Sequence, residues 1–301
     1  MLGDPRVSDV DNFISKTHSS VPESLLPEKM RLPEQFTVCI IGASYGIGEH
    51  IAYAYARAAV ANLCLAARSD LAAVAEKCKE VATNSAFRVE TRRCDIADNE
   101  SVKQLAEFVK EKFGRLDAVV PNAAYAGPVT LRMDEGEPEW VERAFQVNAM
   151  GQYYVSRHFV PLLLESENRK KGFIAIGSIA GCIRRGIIAN MQYCVSKMTQ
   201  TRMVEYLSEQ YGKDGLVAIC LHPGAVETPM AKDNTPEAFI PYLTDDIDLC
   251  GAVCVWISKQ IQGLQWMNGR MMSATWDMDE LMSRRGEVEG KDLLKYMMAV
   301  R

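Results

Sequence analysis

The chain has 301 residues, with 34 Lys+Arg against 39 Asp+Glu, a formal net charge of −5 and 48% hydrophobic residues. This mildly acidic balance with no long Lys/Arg run argues against binding nucleic acid through phosphates, and no apolar stretch reaches the roughly 18 residues of a membrane span. Met1 to Val10 carries Asp4, Arg6 and Asp9 where an export signal needs an apolar core, and the 9 cysteines lack CxxC pairing, so a reduced, cytoplasmic protein is expected.

Residues 1–34 hold Pro5, Pro22, Pro27 and Pro33 without strong periodicity, which predicts an N-terminal extension that wraps the domain or stays partly loose. From Phe36 short apolar runs alternate with longer helical patterns. Strands are predicted at Thr37 to Ile41, Asn62 to Ala66, Arg88 to Arg92, Ala118 to Val120, Phe173 to Ile176, Val217 to Leu221 and Met271 to Ala274. Helices are predicted over 47–60, 70–83, 99–113, 139–165, 190–211 and 246–260, with Asp70 and Asp98 as N-caps. The alternation predicts an α/β fold, a Rossmann-type doubly wound three-layer sandwich around a seven-stranded parallel sheet. The domain is expected over 35–277, with a tail over 278–301.

The first strand runs into Gly42-Ala43-Ser44-Tyr45-Gly46-Ile47-Gly48 and then a helical pattern. Glycines at this spacing suit a sharp turn where a pyrophosphate approaches main-chain N–H groups at a helix N-terminus; the alternative is a Gly-rich turn with no ligand. After the second strand, where an NAD site offers an acid to the ribose, the run reads Ala66-Ala67-Arg68-Ser69. Arg68, with Ser69 and Ser44, can hold a 2′-phosphate, so the expected cofactor is NADP(H), unless Arg68 only meets water at the strand end.

Tyr193 and Lys197 stand four residues apart in a helical stretch and share a face. That spacing alone is weak, but Ser178 sits at the carboxyl end of a buried strand, and Asn148 is a polar residue inside an apolar helical pattern. An ammonium beside a phenol stabilises the phenolate, so Lys197 is expected to lower the Tyr193 pKa. No GxSxG elbow surrounds Ser178, which argues against a hydrolase.

These residues together resemble the short-chain dehydrogenase/reductase family from about Phe36 to Asp277. The resemblance implies a catalytic tetrad of Asn148, Ser178, Tyr193 and Lys197. Tyr193 would be the general acid/base, Ser178 the hydrogen-bond donor to the substrate oxygen, Lys197 also the holder of the nicotinamide ribose, and Asn148 the anchor of a proton-relay water chain. It implies further cofactor contacts from Asp95 and Ile96, from Asn122 and Ala123, and from Pro223, Gly224, Val226 and Thr228, beside the loop residues Gly42, Ser44, Tyr45, Gly46, Ile47 and Gly48. Pro121-Asn122-Ala123-Ala124 departs from the family's Asn-Asn-Ala-Gly, and Tyr45 stands where many NADP-preferring relatives carry Arg or Lys.

The implied activity is interconversion of a ketone and a secondary alcohol on a small, mostly apolar substrate, in specialised metabolism. The alternatives are a non-redox step on bound NADP, or a non-catalytic NADP-sensing protein. A substrate flap is implied over 229–248, where Phe239, Ile240, Tyr242 and Leu243 either meet an apolar substrate or fasten the flap. A homodimer or homotetramer is implied through helices 139–165 and 190–211. Arg184 and Arg185 are either anion contacts or solvated loop charges. Met278, Leu281, Met282, Leu293, Leu294 and Met297 recur at helical spacing in the tail. His18 and His158 are expected at the surface and His222 beside the Pro-Gly turn, and no pair has metal-ligand spacing.

Overall fold

The computed structural model describes residues 9–10, 12–165 and 170–298, so Asp4, Pro5 and Arg6 lie outside the described residues. Seven parallel strands, β1 (Thr37–Ile41), β2 (Asn62–Ala67), β3 (Arg88–Arg93), β4 (Ala118–Pro121), β5 (Gly172–Ile176), β6 (Val217–His222) and β7 (Arg270–Ser273), stand in the order β3-β2-β1-β4-β5-β6-β7. This is the doubly wound sheet expected from the sequence. Six of the strands carry almost only buried residues, as sheets covered on both faces require, whereas β3 at the edge is largely exposed and rich in arginine. The order reverses beside β1, so a crevice opens between the carboxyl ends of β1 and β4.

The helices are α1 (Ile47–Arg57), α2 (Ala72–Val81), α3 (Asn99–Phe113), α4 (Pro138–Ala144), α5 (Gly151–Leu164), α6 (Met191–Tyr211), α7 (Pro229–Asp233), α8 (Asp248–Gln260), α9 (Met278–Ser283) and α10 (Arg285–Gly290). Asp98 caps α3 by accepting from Glu100 N at 3.1 Å, and Gly114 ends it in the left-handed region. Asp70 acts one position earlier than a standard cap, accepting from Leu71 N at 2.9 Å and Ala72 N at 3.2 Å. One apolar layer packs α1 and α8 on one face of the sheet, and a second packs α3, α5 and α6 on the other. Gly251 lets α8 close on α1, because a Cβ there would lie 2.9 Å from both Ala54 Cβ and the His50 carbonyl oxygen.

Two helical readings are corrected. The continuous helix expected over 139–165 is broken by a π turn, Phe145–Met150, which joins α4 to α5. The apolar periodicity runs through the break, so the pattern hid it, while a single wider turn re-aims the side chains it carries. The tail stripe is helical only to Gly290, because Asp292 and Leu294 have φ of 49° and 66°, outside any right-handed helix. The tail instead folds back: Met271 N donates to the Leu294 carbonyl at 2.9 Å, and Tyr296 N donates to Glu205 at 2.9 Å.

The chain ahead of β1 is clamped to the body. Ile14, Leu25 and Met30 are buried in the α1/α8 layer, each such side chain contributing about 1.5–3 kcal/mol. His18 N donates to the Thr275 carbonyl at 2.7 Å, and Asp246 N to the Ser19 carbonyl at 2.7 Å.

Candidate active site

Gly42–Gly48 crosses the carboxyl edge of β1 into α1. Gly42 has φ of +94°, and a Cβ there would lie 2.5 Å from Ala123 N, so only glycine fits between the two crossing backbones. At Gly48 a Cβ would meet the Gly42 carbonyl oxygen at 2.0 Å and Asn122 Nδ2 at 2.5 Å. Asn122 Nδ2 donates to that same carbonyl at 2.7 Å, tying the loop to the end of β4. The crevice floor is therefore bare backbone at a helix N-terminus, which fits a dinucleotide pyrophosphate. Gly42, Ser44, Tyr45, Gly46, Ile47, Arg68, Ser69, Asp95, Ile96, Asn122, Ala123 and Thr228 all line this crevice, as do Tyr125 and Arg143, which the sequence reading did not single out.

At one end of the crevice Ser69 Oγ donates to Ser44 Oγ at 2.8 Å, beside Arg68. Arg92 and Arg93 of β3 join Arg68 around one shallow pocket that also takes in Asp95 and Ser101. These two arginines were missed, although a signal exists: in the parallel register Ala66 pairs with Arg92 and Ala67 with Arg93, which sets both next to Arg68. The Asp70 carboxylate is occupied at the start of α2. Asp95 accepts from Ala97 N at 3.0 Å.

Ser178 follows β5 and caps a short 3-10 turn, its Oγ accepting from Ala180 N at 3.1 Å. One turn apart on α6 stand Tyr193 and Lys197. Burial pushes the Tyr193 phenol up to about 12, against the opposing pull of its hydrogen bond with Ser178. Lys197 is 2% exposed, lies with Nζ 5.7 Å from the Tyr193 ring centroid, and donates to the Ile176 carbonyl at 3.0 Å. Burial lowers its ammonium to about 8. Burial thus raises the Tyr193 phenol against the pull of Ser178, and burial lowers the Lys197 ammonium.

Asn148 sits in the π turn with no exposed surface. Its Oδ1 accepts from Tyr125 N at 2.8 Å, and its Nδ2 donates to the Tyr125 carbonyl and to Ser196 Oγ, both at 2.8 Å. Ser196 Oγ in turn donates to the Tyr193 carbonyl at 2.9 Å. The Asn148 side chain thereby ties the crevice wall to the turn of α6 that bears Tyr193.

Ser178 and Tyr193 face a cleft of about 580 Å³ that shares Ile47, Thr228 and Met230 with the nucleotide crevice. Pro223, Gly224 and Val226 line this cleft and not the crevice. Phe239, Tyr242 and Leu243, from a 3-10 turn after α7 and its end, form an apolar wall; Arg184 and Arg185 are exposed and outside the walls. His222 lines the cleft, lowered to about 4 by burial and by the nearby Lys197 charge. His18, expected at the surface, lines it too.

A family model described as short chain dehydrogenase matches residues 36–238. The chain belongs to this family. The short chain dehydrogenase pgmD of Aspergillus terreus is 39% identical over 298 residues, covering 96% of this chain and 95% of that protein. The short chain dehydrogenase andI of Emericella variicolor is 34% identical over 298 residues, covering 98% and 99%. Among solved structures, a 3-oxoacyl-[acyl-carrier protein] reductase from Brucella melitensis in complex with NAD aligns with a TM-score of 0.71 at 19% identity, covering 81% of this chain and 97% of that one. That likeness speaks to the fold. As a short-chain dehydrogenase the protein belongs to an oxidoreductase family that binds a nicotinamide nucleotide, and the Gly42–Gly48 crevice fits its pyrophosphate.

Proposed function

We propose that this short-chain dehydrogenase is an NADP(H)-dependent oxidoreductase that interconverts a ketone and a secondary alcohol, with Tyr193 as general acid/base. The observation that carries this reading is the Ser178–Tyr193 hydroxyl pair facing a cleft continuous with the nucleotide crevice. When bound, the nicotinamide supplies or takes up the hydride. Tyr193 gives its proton to the carbonyl oxygen in reduction and takes it back in oxidation. Ser178 donates to the same oxygen and stabilises its developing charge. Lys197, buried behind the phenol, offers the cation that the phenolate needs and would hold the nicotinamide ribose. Asn148 serves as a positioning residue through Tyr125 and Ser196. In this reading a few polar atoms of the cleft sit among mostly apolar walls, so a mainly hydrocarbon ketone is the substrate class.

The preference for NADP(H) rests on Arg68, Arg92 and Arg93, which converge beside Ser69 and outnumber the nearby acids Asp70 and Asp95, whose Oδ1 atoms already accept from backbone N–H groups. Guanidinium groups hold phosphate bidentately, so three of them suit a 2′-phosphate. A homo-oligomer through α5 and α6 is supported by Met150, Tyr153, Met198 and Tyr206, which are large, apolar and exposed around these helices. The nine free cysteines, eight of them buried, suit a reducing compartment such as the cytoplasm. The test is side-by-side titration of NADPH and NADH into the wild type and Arg68→Ala. NADPH should bind at least tenfold tighter, and the substitution should remove most of the difference; equal binding of the two nucleotides to the wild type refutes the NADP assignment, and binding of neither refutes the oxidoreductase reading.

A further inference from the structure

One stretch of the substrate cleft is built by the chain ahead of β1: Asn12, Thr17 and His18 line it together with Ser178 and Tyr193. This strap is held in place by the segment after β7. Ser15 N and Lys16 N donate to the Glu280 carboxylate at 2.8 and 2.9 Å, and Asp277 N donates to the Lys16 carbonyl at 3.0 Å. The Asp277 carboxylate receives Lys16 Nζ at 2.7 Å and His18 Nε2 at 2.9 Å. Lys16, then the Glu280 backbone N–H and His18, hold that carboxyl far below the usual range, so it is an acceptor only.

An acceptor on Nε2 selects the tautomer of a neutral His18 in which Nε2 carries the hydrogen and Nδ1 is an open acceptor. No described residue takes Nδ1. Two further residues of the cleft wall carry an unpaired polar atom. Asn190 is 3% exposed and its Oδ1 has no partner, although its Nδ2 donates to the Ala126 and Pro128 carbonyls, both at 3.2 Å. His222 is 9% exposed and its Nδ1 is also without a partner. Buried polar atoms are ordinarily paired, so these two closed-off atoms are exceptions carried by residues of the cleft wall.

We infer that His18, aimed by Asp277, is a substrate-binding residue that accepts a hydrogen bond from a hydroxyl group on the substrate, distinct from the oxygen handled by Tyr193 and Ser178. The substrate is then a hydroxylated ketone, or the corresponding diol, whose hydrocarbon frame lies against Ile179, Ile183, Ile188 and Phe239. This rests on the ketone/alcohol reading and narrows it: specificity comes from the N-terminal strap as well as from the flap.

The experiment compares 1-tetralone with its 5-, 6- and 7-hydroxy derivatives. Each is titrated calorimetrically into protein saturated with NADP+, where no reduction occurs, and each is assayed for reduction with NADPH. At least one hydroxy derivative should bind the wild type about tenfold tighter than 1-tetralone, the scale of one well-placed hydrogen bond. His18→Leu should erase that ratio while leaving 1-tetralone binding and NADPH affinity within error; His18→Gln, which can still accept, should restore part of it. The inference is overturned if the wild type binds all four ketones alike, if it binds none of them, or if His18→Leu keeps the ratio. NADPH affinity separates the two levels: its absence strikes the oxidoreductase reading, whereas intact NADPH binding without a hydroxyl preference strikes His18 alone.

Discussion

Replacing Lys197 by Met should make the nucleotide-free protein more stable. Lys197 Nζ has three hydrogens to donate and, among the described residues, one acceptor, the Ile176 carbonyl at 3.0 Å, in a position 2% exposed. Its pKa falls from 10.5 to about 8 because burial penalises the charge. At about 1.4 kcal/mol per pKa unit, that shift is worth about 3 kcal/mol of destabilisation at neutral pH. Methionine keeps the apolar stem and removes the charge, but it leaves the Ile176 carbonyl unpaired, which costs about 1 kcal/mol. The net gain is about 2 kcal/mol, or a thermal midpoint raised by about 4 °C for a chain of this length. The sign of the pH dependence follows from a folded pKa below the unfolded one. The penalty on the wild type is full below pH 8, where both states carry the proton, and fades as pH rises from 8 toward 10.5, where only the unfolded chain still does. Calorimetric unfolding of both proteins at pH 7 and pH 9.5 checks this, with the midpoint difference shrinking at the higher pH. A Lys197→Met protein less stable than the wild type at pH 7, or a difference that does not shrink, refutes the claim that this ammonium is held at a cost to the fold. The same variant should lose ketone reduction by orders of magnitude, which separates stability from activity.

Three further outcomes are expected. Asn148→Ala removes three hydrogen bonds of 2.8 Å from a site with no exposed surface and should destabilise by about 3 kcal/mol, measured by denaturant unfolding. Gly48→Ala puts a Cβ 2.0 Å from the Gly42 carbonyl oxygen, and the loop must shift; NADPH affinity should fall at least tenfold, while the far sheet edge at β7 keeps its amide protection. Glu280→Ala removes the acceptor for Ser15 N and Lys16 N, so hydrogen exchange at residues 15–18 should accelerate while exchange in β1 and α1 stays unchanged.

What the sequence displayed depends on how local each feature is. The glycine loop, the strand cores and the Tyr193/Lys197 spacing are each fixed within a few residues, and the structure places them where periodicity and turn chemistry put them. Arg92 and Arg93 needed one more step, the alignment of two parallel strands, before they stood beside Arg68. The π turn at 145–150 left one trace, a buried Asn in an apolar pattern, yet helical periodicity passed through it unbroken. The protonation balance at Tyr193 was beyond the sequence, because it depends on how dry the pair is and not on which residues are present. His18 was out of reach altogether: its partner Asp277 lies 259 positions away, and a histidine among prolines carries no sign of a cleft.

The geometry divides the labour between the middle of the chain and its ends. The nucleotide crevice and the Ser178–Tyr193 pair stand on β1, β4, β5 and α6, elements of the sheet core. The strap meets the segment after β7 through Glu280 and Asp277, and the tail beyond α10 lies against β7 and α6 through Leu294 and Tyr296. The strap at 15–18 and the tail at 294–296 therefore both pack beside β7 and the segment that follows it. None of Asn12, Thr17 and His18 lines the nucleotide crevice, so a substitution at His18 is expected to change substrate range while nucleotide binding is kept.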